Sequence, residues 1–141
     1  MDSEQYDQLL QMWRLVAPYG DEKDLPAAPF DFVAHLKRQR AFSEKTFGPG
    51  PRTVGISKHI RKELLEIEEA PFDLKEWIDV VILALDGAWR SGASPEQVVA
   101  ALVDKQTENE GRTWPRNQSP DVAVEHDRTV APAKPSAAYR R

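Results

Sequence analysis

Two pairs of carboxylates share the same spacing in the middle of the sequence. Glu63 and Glu66 are three positions apart, and so are Glu76 and Asp79, with a short break between the pairs. Side chains three positions apart lie on the same face of an α-helix, so each pair can direct its oxygens to one side. Carboxylates gathered in a low-dielectric site raise one another's pKa, and a divalent cation relieves that repulsion. The pattern therefore suits a metal site made of oxygen ligands.

The donor types restrict which metal such a site would hold. The chain has no cysteine and all four donors are hard carboxylates, which favours Mg²⁺ or Mn²⁺ over zinc. A di-iron bundle would require Glu-x-x-His pairs, whereas the pairs here are Glu-x-x-Glu and Glu-x-x-Asp. His59 is nearby but in another register, and a supporting or structural role is the more common one for such a histidine.

The acidic pattern also has a plain structural explanation. On the predicted fourth helix, periodicity places Glu76, Asp79, Asp86 and Arg90 on one stripe. This stripe could be the solvated side of a surface helix, with its last two members as an i, i+4 ion pair. The rest of the helix is apolar almost all round, which is typical of a helix buried between neighbours or at a subunit interface. In that case the acidic stripe would face inward.

A second polar line follows the predicted fifth helix. It recurs at steps of four and three and turns from apolar to basic through Val98, Leu102, Lys105, Asn109 and Arg112. A solvated helix end gives this pattern, because basic residues there also complement the helix dipole. Phosphate oxygens would equally suit it, since arginine binds them in a bidentate manner and lysine as a point charge. Carboxylates for a metal together with cations for phosphate indicate a site for a nucleoside polyphosphate.

Five helical segments would position these residues, and no segment reads as a strand, so the predicted fold class is all-α. The helices are expected from the N-terminus to before Pro18, from near Phe30 to Gly48-Pro49-Gly50-Pro51, from about Gly55 to Ala70, from Leu74 to about Arg90, and from Pro95 to about Gly111. Asp73 and Ser94 are the expected N-caps of the last two. From Thr113 onward the sequence is rich in proline and lacks periodicity. It predicts an irregular, extended tail that is ordered only where it lies on another surface.

Charge and composition exclude several classes of function. The net charge is −4, so no global field draws the protein to nucleic acid or to an anionic membrane. The N-terminus is acidic where a signal peptide would be basic, and no apolar run approaches the length of a membrane span. The lack of cysteine suits a reducing cytoplasm. We therefore expect one small, soluble, cytoplasmic domain.

Both motifs occur in the order found in a known group of enzymes. The chain from about Phe30 to Pro115 resembles the all-α nucleoside triphosphate pyrophosphohydrolases of the MazG-like superfamily. Their signature of Glu-x-x-Glu on one helix and Glu-x-x-Asp on the next is matched by the two acidic pairs. Their Lys-x-x-x-Asn-x-x-Arg-x-Trp run is matched by KQTENEGRTW, from Lys105 to Trp114. The stretches FSEKTFGPGPRTVGISKHIRKEL and DLKEWIDVVILALDGAWRSG look most like the dATP/dGTP diphosphohydrolase branch of phages and bacteria.

The resemblance implies a division of the chain and a set of site residues. Residues 1–29 would form an N-terminal helix and linker, 30–115 the MazG-like domain and 116–141 a proline-rich tail. Two or three Mg²⁺ or Mn²⁺ ions would be held by Glu63, Glu66, Glu76 and Asp79. Catalysis would fall to Glu66, preferred as the base that takes a proton from the attacking water, together with Glu63. Phosphate would be bound by Lys105, Asn109 and Arg112. The base or sugar would lie against Phe42, Lys45, Phe47 and His59.

The resemblance also implies a reaction and a quaternary structure. A purine deoxynucleoside triphosphate, with dGTP expected first, would be hydrolysed to the monophosphate and pyrophosphate. In a phage this would support a genome that contains 2-aminoadenine. Members of the superfamily form dimers or tetramers of helical bundles, so a homo-oligomer is expected. The alternatives are a dATP or general house-cleaning pyrophosphohydrolase, and a non-catalytic helical module that binds nucleotides or another protein.

Overall fold

Five α-helices form the regular secondary structure of the residues that this computed structural model describes. These residues are 2–16, 28–116 and 119–131, and none of them lies in a strand. The helices are α1 (Ser3–Val16), α2 (Phe32–Phe47), α3 (Thr53–Glu69), α4 (Leu74–Arg90) and α5 (Pro95–Glu110). The predicted all-α fold of about five helices is confirmed. The predicted linker at residues 17–27 and the end of the predicted tail, 132–141, lie outside the described residues.

The chain divides into two compact units, Met1–Pro49 and Gly50–Arg141. In the first unit, Asp31 caps α2, because its Oδ1 accepts a hydrogen bond of 3.0 Å from the backbone N–H of Ala34. The helix therefore begins at Phe32, two residues later than expected. It ends at Gly48, whose φ of +82° favours glycine. Among the α-helices that the described residues form, none has the length and apolar character needed to cross a membrane.

In the second unit, α3 packs along α4, and α4 also contacts α5. Its buried apolar side chains are Ile56, Ile67, Trp89 and Val98. Gly87 of α4 faces α3, because a Cβ atom placed on it would lie 3.7 Å from Cγ2 of Ile56. These contacts hold together the two helices that carry the acidic pairs.

A tight turn joins α3 to α4. The backbone N–H of Ala70 donates to the carbonyl of Glu66 at 2.9 Å, and that of Asp73 donates to the carbonyl of Ala70 at 2.9 Å. Asp73 then caps α4 as predicted, since its Oδ1 accepts from the backbone N–H of Lys75 at 2.9 Å. The turn folds the two helices into a hairpin, so the end of α3 faces the start of α4.

The N-terminus of α5 also follows the prediction. Ser94 Oγ accepts from the backbone N–H of Gln97 at 3.1 Å, and the Gln97 side chain accepts from the backbone N–H of Ser94 at 2.8 Å. This reciprocal capping box, with Pro95 at the first helical position, fixes where α5 begins.

The sequence did not decide whether the polar stripe of α4 faces the solvent or the interior. In the structure, the C-terminal end of this stripe is buried. Asp86 and Arg90 are both buried and form a hydrogen-bonded ion pair. The solvated-face interpretation is therefore wrong for these two residues. Large apolar side chains on the other sides of α4 are exposed in the single chain instead, and these are Trp77, Ile78, Val81 and Ile82.

Candidate active site

Three of the predicted metal ligands lie close together where α3 ends and α4 begins. Glu63, Glu66 and Glu76 each offer a carboxylate oxygen, and these oxygens all lie within 4.8 Å of one another. Glu63 is 4% exposed, whereas the other two are half-buried. The hairpin explains the arrangement, because it turns the first helical turn of α4 towards the last two turns of α3. We call these three residues the carboxylate cluster.

Two basic side chains of α3, His59 and Lys62, contact the carboxylate cluster. His59 Nε2 lies 2.8 Å from Glu63 Oε1, one helical turn away. Lys62 Nζ lies 3.4 Å from the same oxygen and also donates to Glu66. His59 thus contacts Glu63, which fits the supporting role that is the more common one for such a histidine. Lys62 was not among the predicted site residues, although its i, i+4 spacing from Glu66 indicated the contact.

The charges in the cluster shift the pKa values of its members in opposite directions. The hydrogen bond from Lys62 lowers the pKa of Glu66, and Glu66 in turn raises the pKa of Lys62. Partial desolvation raises the pKa of Glu76, and the negative charge of Glu66 adds to that effect. The carboxylates therefore repel one another, and a bound cation would relieve the repulsion.

The fourth predicted ligand, Asp79, lies outside the carboxylate cluster. It is exposed one turn after Glu76 on α4, near enough that its charge also raises the pKa of Glu76. An open concavity of about 510 Å³ lies beside it, lined by Asp73, Leu74, Lys75, Ile78 and Asp79. The Asp79 carboxylate thus borders accessible space at the edge of the cluster, and its role as a ligand stays a prediction.

Two of the three predicted phosphate-binding residues, Lys105 and Arg112, hold a carboxylate at the C-terminal end of α5, and the third, Asn109, contacts Arg112. Lys105 Nζ donates to Glu108 Oε2 at 2.9 Å, and Arg112 Nη2 donates to Glu108 Oε1. Arg112 Nη1 donates to Asn109 Oδ1 at 3.0 Å. Glu108 was missed from the sequence. Glu108 is three positions from Lys105 and four from Arg112, and this helical spacing was the feature of the sequence that indicated the two contacts. We call Lys105, Asn109 and Arg112, with Glu108 between the two cations, the anion cluster.

The residues predicted to wall the base lie mostly in the first unit. Phe42 and Phe47 of α2 are exposed, and their rings meet edge to face with centroids 6.4 Å apart. Lys45 lies between them in the sequence and is exposed as well. His59 belongs to the second unit and contacts Glu63. Their shared role as a base or sugar pocket stays a prediction.

A comparison with protein families places the chain in one of them. The sequence model of a family described as dATP/dGTP pyrophosphohydrolase matches residues 35–130, which include both clusters. No curated protein and no solved structure matches the sequence significantly. Since the family match covers more than half of the sequence, the chain belongs to the dATP/dGTP pyrophosphohydrolases, a MazG-like family, and is a nucleoside triphosphate hydrolase.

Proposed function

We propose that the protein hydrolyses dGTP to dGMP and pyrophosphate with the help of Mg²⁺ or Mn²⁺. The observation that carries the proposal is the carboxylate cluster, three acidic side chains brought together by the α3–α4 hairpin. The family supplies the reaction class, which is release of pyrophosphate from a purine deoxynucleoside triphosphate.

The donors fit a hard divalent cation. All are carboxylates, and the two largest causes of the raised pKa of Glu76, partial desolvation first and the negative charge of Glu66 second, would be offset by such a cation. Glu63, Glu66 and Glu76 would hold the metal with Asp79 at the open edge, and two or three ions are expected. When bound, the ions would activate water for attack and stabilise the negative charge of the leaving pyrophosphate.

A side chain of the carboxylate cluster would also accept the proton of the attacking water. Lys62 lowers the pKa of Glu66 and so keeps this carboxylate ionised at neutral pH. An ionised Glu66 can accept the proton of the attacking water, which is the role of a general base. Glu63, held by His59 at 2.8 Å, has a fixed orientation and would keep the cluster aligned during the reaction.

The anion cluster would bind the phosphates. Arg112 offers a planar, bidentate donor group and Lys105 a point charge, and both donate to the Glu108 carboxylate. Asn109 adds an amide that can donate to a phosphate oxygen. These contacts would orient the triphosphate for cleavage between its α- and β-phosphates.

The preference for dGTP over dATP rests on the resemblance to the MazZ type of enzyme, which serves phages with 2-aminoadenine genomes. In such a phage, dGMP is the precursor of the modified nucleotide, so hydrolysis of dGTP would supply that pathway in the host cytoplasm. A pocket matched to the edge of guanine would leave polar groups unpaired against adenine. Phe42, Lys45, Phe47 and His59 are the proposed walls of this pocket.

The exposed apolar side chains of α4 support a homo-oligomer. Trp77 is 50% exposed and Val81 48% exposed in the single chain, although α4 is the most apolar helix. A contiguous apolar face of this kind marks an interaction surface. We therefore propose that a second copy covers it in a dimer or tetramer.

One assay tests the proposed function. Pyrophosphate release is measured from dGTP, dATP, dCTP and dTTP with Mg²⁺, and the products are identified. We expect the highest kcat/KM for dGTP, with dGMP and pyrophosphate as products. A preference for dATP would keep the family reaction and reject the MazZ assignment. Preference for a pyrimidine, or release of orthophosphate, would reject the proposal, and no turnover at all would favour a nucleotide-binding module.

A further inference from the structure

The chain that follows α5 folds back onto the C-terminal end of that helix. The backbone N–H of Asp127 donates to the carbonyl of Thr113 at 2.8 Å. The His126 ring meets Trp114 nearly edge-on, with centroids 5.7 Å apart and an interplanar angle of 66°. Asp127 also stabilises its own turn, because its Oδ1 accepts from Thr129 N at 2.8 Å and from Thr129 Oγ1 at 2.6 Å. These contacts place His126 beside the end of the anion cluster.

Trp114 joins the returning segment to the anion cluster. Its Nε1 donates to the backbone carbonyl of Asn109 at 2.7 Å, and the side chain of the same Asn109 accepts from Arg112. The hydrogen bond from Lys105 is the largest cause of the lowered pKa of Glu108, and the charge of Arg112 adds to it. Through its ring contact with Trp114, His126 is therefore joined to the end of α5 that carries these two cations.

Glu108 occupies the centre of this arrangement. One of its oxygens accepts from Lys105 and the other from Arg112, so both cations of the cluster are paired with a single carboxylate. The Glu108 side chain is 42% exposed, which leaves room for it to swing away. A phosphate group carries more charge and more acceptor oxygens than a carboxylate, so it can replace Glu108 on the same donors.

We propose that His126 is an additional phosphate-binding residue, brought to Lys105 and Arg112 by the returning segment, and that Glu108 fills the anion position until the triphosphate displaces it. This inference rests on the proposed function for the identity of the anion. It assigns a ligand role to a residue beyond the Lys105–Trp114 motif and a competing role to an acidic residue within that motif.

Binding of inorganic tripolyphosphate to the full-length chain tests the inference. Calorimetry at about pH 6, with chelator present, measures the affinity of the anion cluster for tripolyphosphate without metal and without turnover. We expect His126→Phe to weaken binding about tenfold, since phenylalanine keeps the ring contact with Trp114 but has no N–H donor. We expect Glu108→Gln to tighten binding about three- to fivefold, because the competing charge is gone.

Matched variants separate these roles from general effects on charge or folding. Glu110→Gln removes the same charge two positions away, where Glu110 accepts a hydrogen bond from Gln106, and should change binding less than about twofold. If Glu108→Gln folds poorly, Glu108→Ala has the same expected sign in a residue that favours helix. Helix content and melting temperature are measured for each variant.

The outcomes are distinct for the inference and for the proposed function. Wild-type affinity in His126→Phe would show that His126 only packs against Trp114. Equal effects of Glu108→Gln and Glu110→Gln would remove the competing role of Glu108, and a wild-type protein that binds no tripolyphosphate would overturn the whole inference. Failure to release pyrophosphate from any nucleotide would reject the proposed function. The metal-free titration with tripolyphosphate would still test whether the anion cluster binds phosphate.

Discussion

Arg90 binds Asp86 and the backbone before α3 at the same time. Its Nε donates to Asp86 Oδ2 at 3.0 Å, and its Nη1 donates to the carbonyl of Gly50 at 2.7 Å. The Arg90 side chain is only 1% exposed. Since Gly50 lies just ahead of α3 and Arg90 ends α4, this residue ties the open end of the hairpin, opposite the turn at Ala70–Asp73.

Replacement of Arg90 by leucine should destabilise the protein strongly. The change leaves the buried carboxylate of Asp86 without its partner, and breaking a buried pair in this way costs about 3–5 kcal/mol. Urea unfolding followed by circular dichroism measures the loss in free energy of unfolding. Arg61→Leu, at an exposed position of α3, is the control. A loss for Arg90→Leu no larger than that of the control would show that the pair does not stabilise the hairpin.

Binding of Mg²⁺ or Mn²⁺ should raise the melting temperature, because a ligand that binds only the folded state stabilises it. Glu63→Gln and Asp79→Asn should abolish turnover, whereas Glu68→Gln, at an exposed position of α3, should not. Differential scanning fluorimetry and pyrophosphate release measure these effects. Full activity in excess chelator, or in Asp79→Asn, would contradict the metal assignment.

Lys62→Met should make the thermal stability of the protein more dependent on bound metal. Lys62 contacts both Glu63 and Glu66, so its removal increases the repulsion between these two carboxylates and takes a cation away from each. We expect a lower melting temperature in chelator and a larger rise on addition of Mn²⁺ than in the wild type. Lys58→Met, exposed on the same helix, serves for comparison. An identical metal-induced rise in all three proteins would mean that Lys62 does not act on the site.

Arg112→Ala and Lys105→Ala should each weaken binding of the triphosphate about tenfold or more, as expected for the loss of a charge-assisted contact. The fold should survive, because both residues lie near the end of α5. The measurement is KM for dGTP together with the affinity of a non-hydrolysable analogue. Gln106→Ala changes a neighbouring exposed side chain and should leave both values unchanged. Unaltered kinetics in Arg112→Ala and Lys105→Ala would show that this face of α5 is only a solvated surface.

Two glycines should respond in opposite ways to alanine. At Gly87, in the last turn of α4, the new Cβ would lie at an ordinary contact distance of 3.7 Å from Ile56. Gly87→Ala should therefore stabilise the protein by about 0.5–1 kcal/mol, the usual gain in a helix. At Gly92 the φ of +109° strains any side chain, so Gly92→Ala should destabilise. Thermal unfolding measures both. Destabilisation by Gly87→Ala would show that α3 and α4 have no room for the added methyl group.

The sequence predicted the features that depend on local rules. Asp73 and Ser94 cap the helices they were expected to cap. The burial of Arg90 was not predictable in this way. Periodicity groups residues by helical face, but it does not tell which face meets a neighbour, and a charged stripe reads as solvated by default.

The contacts between charged side chains were predicted only in part. The types and order of the cationic residues indicated phosphate, yet the pairing of Glu108 with Lys105 and Arg112 depends on rotamers as well as on spacing. The return of His126 to Trp114 depends on a backbone hydrogen bond between Asp127 and Thr113, positions that no periodic pattern connects. A segment rich in proline and polar residues gives no indication of where it will come to lie.

The turn at Ala70–Asp73 has a consequence for how the carboxylate cluster forms during folding. Glu63 and Glu76 are only thirteen positions apart in the sequence, and the turn lies between them. The loop that must close to bring them together is short, so its entropic cost is small and its contacts are local. The helical hairpin can therefore assemble these acidic ligands early on the folding pathway, before α5 and the returning segment have docked.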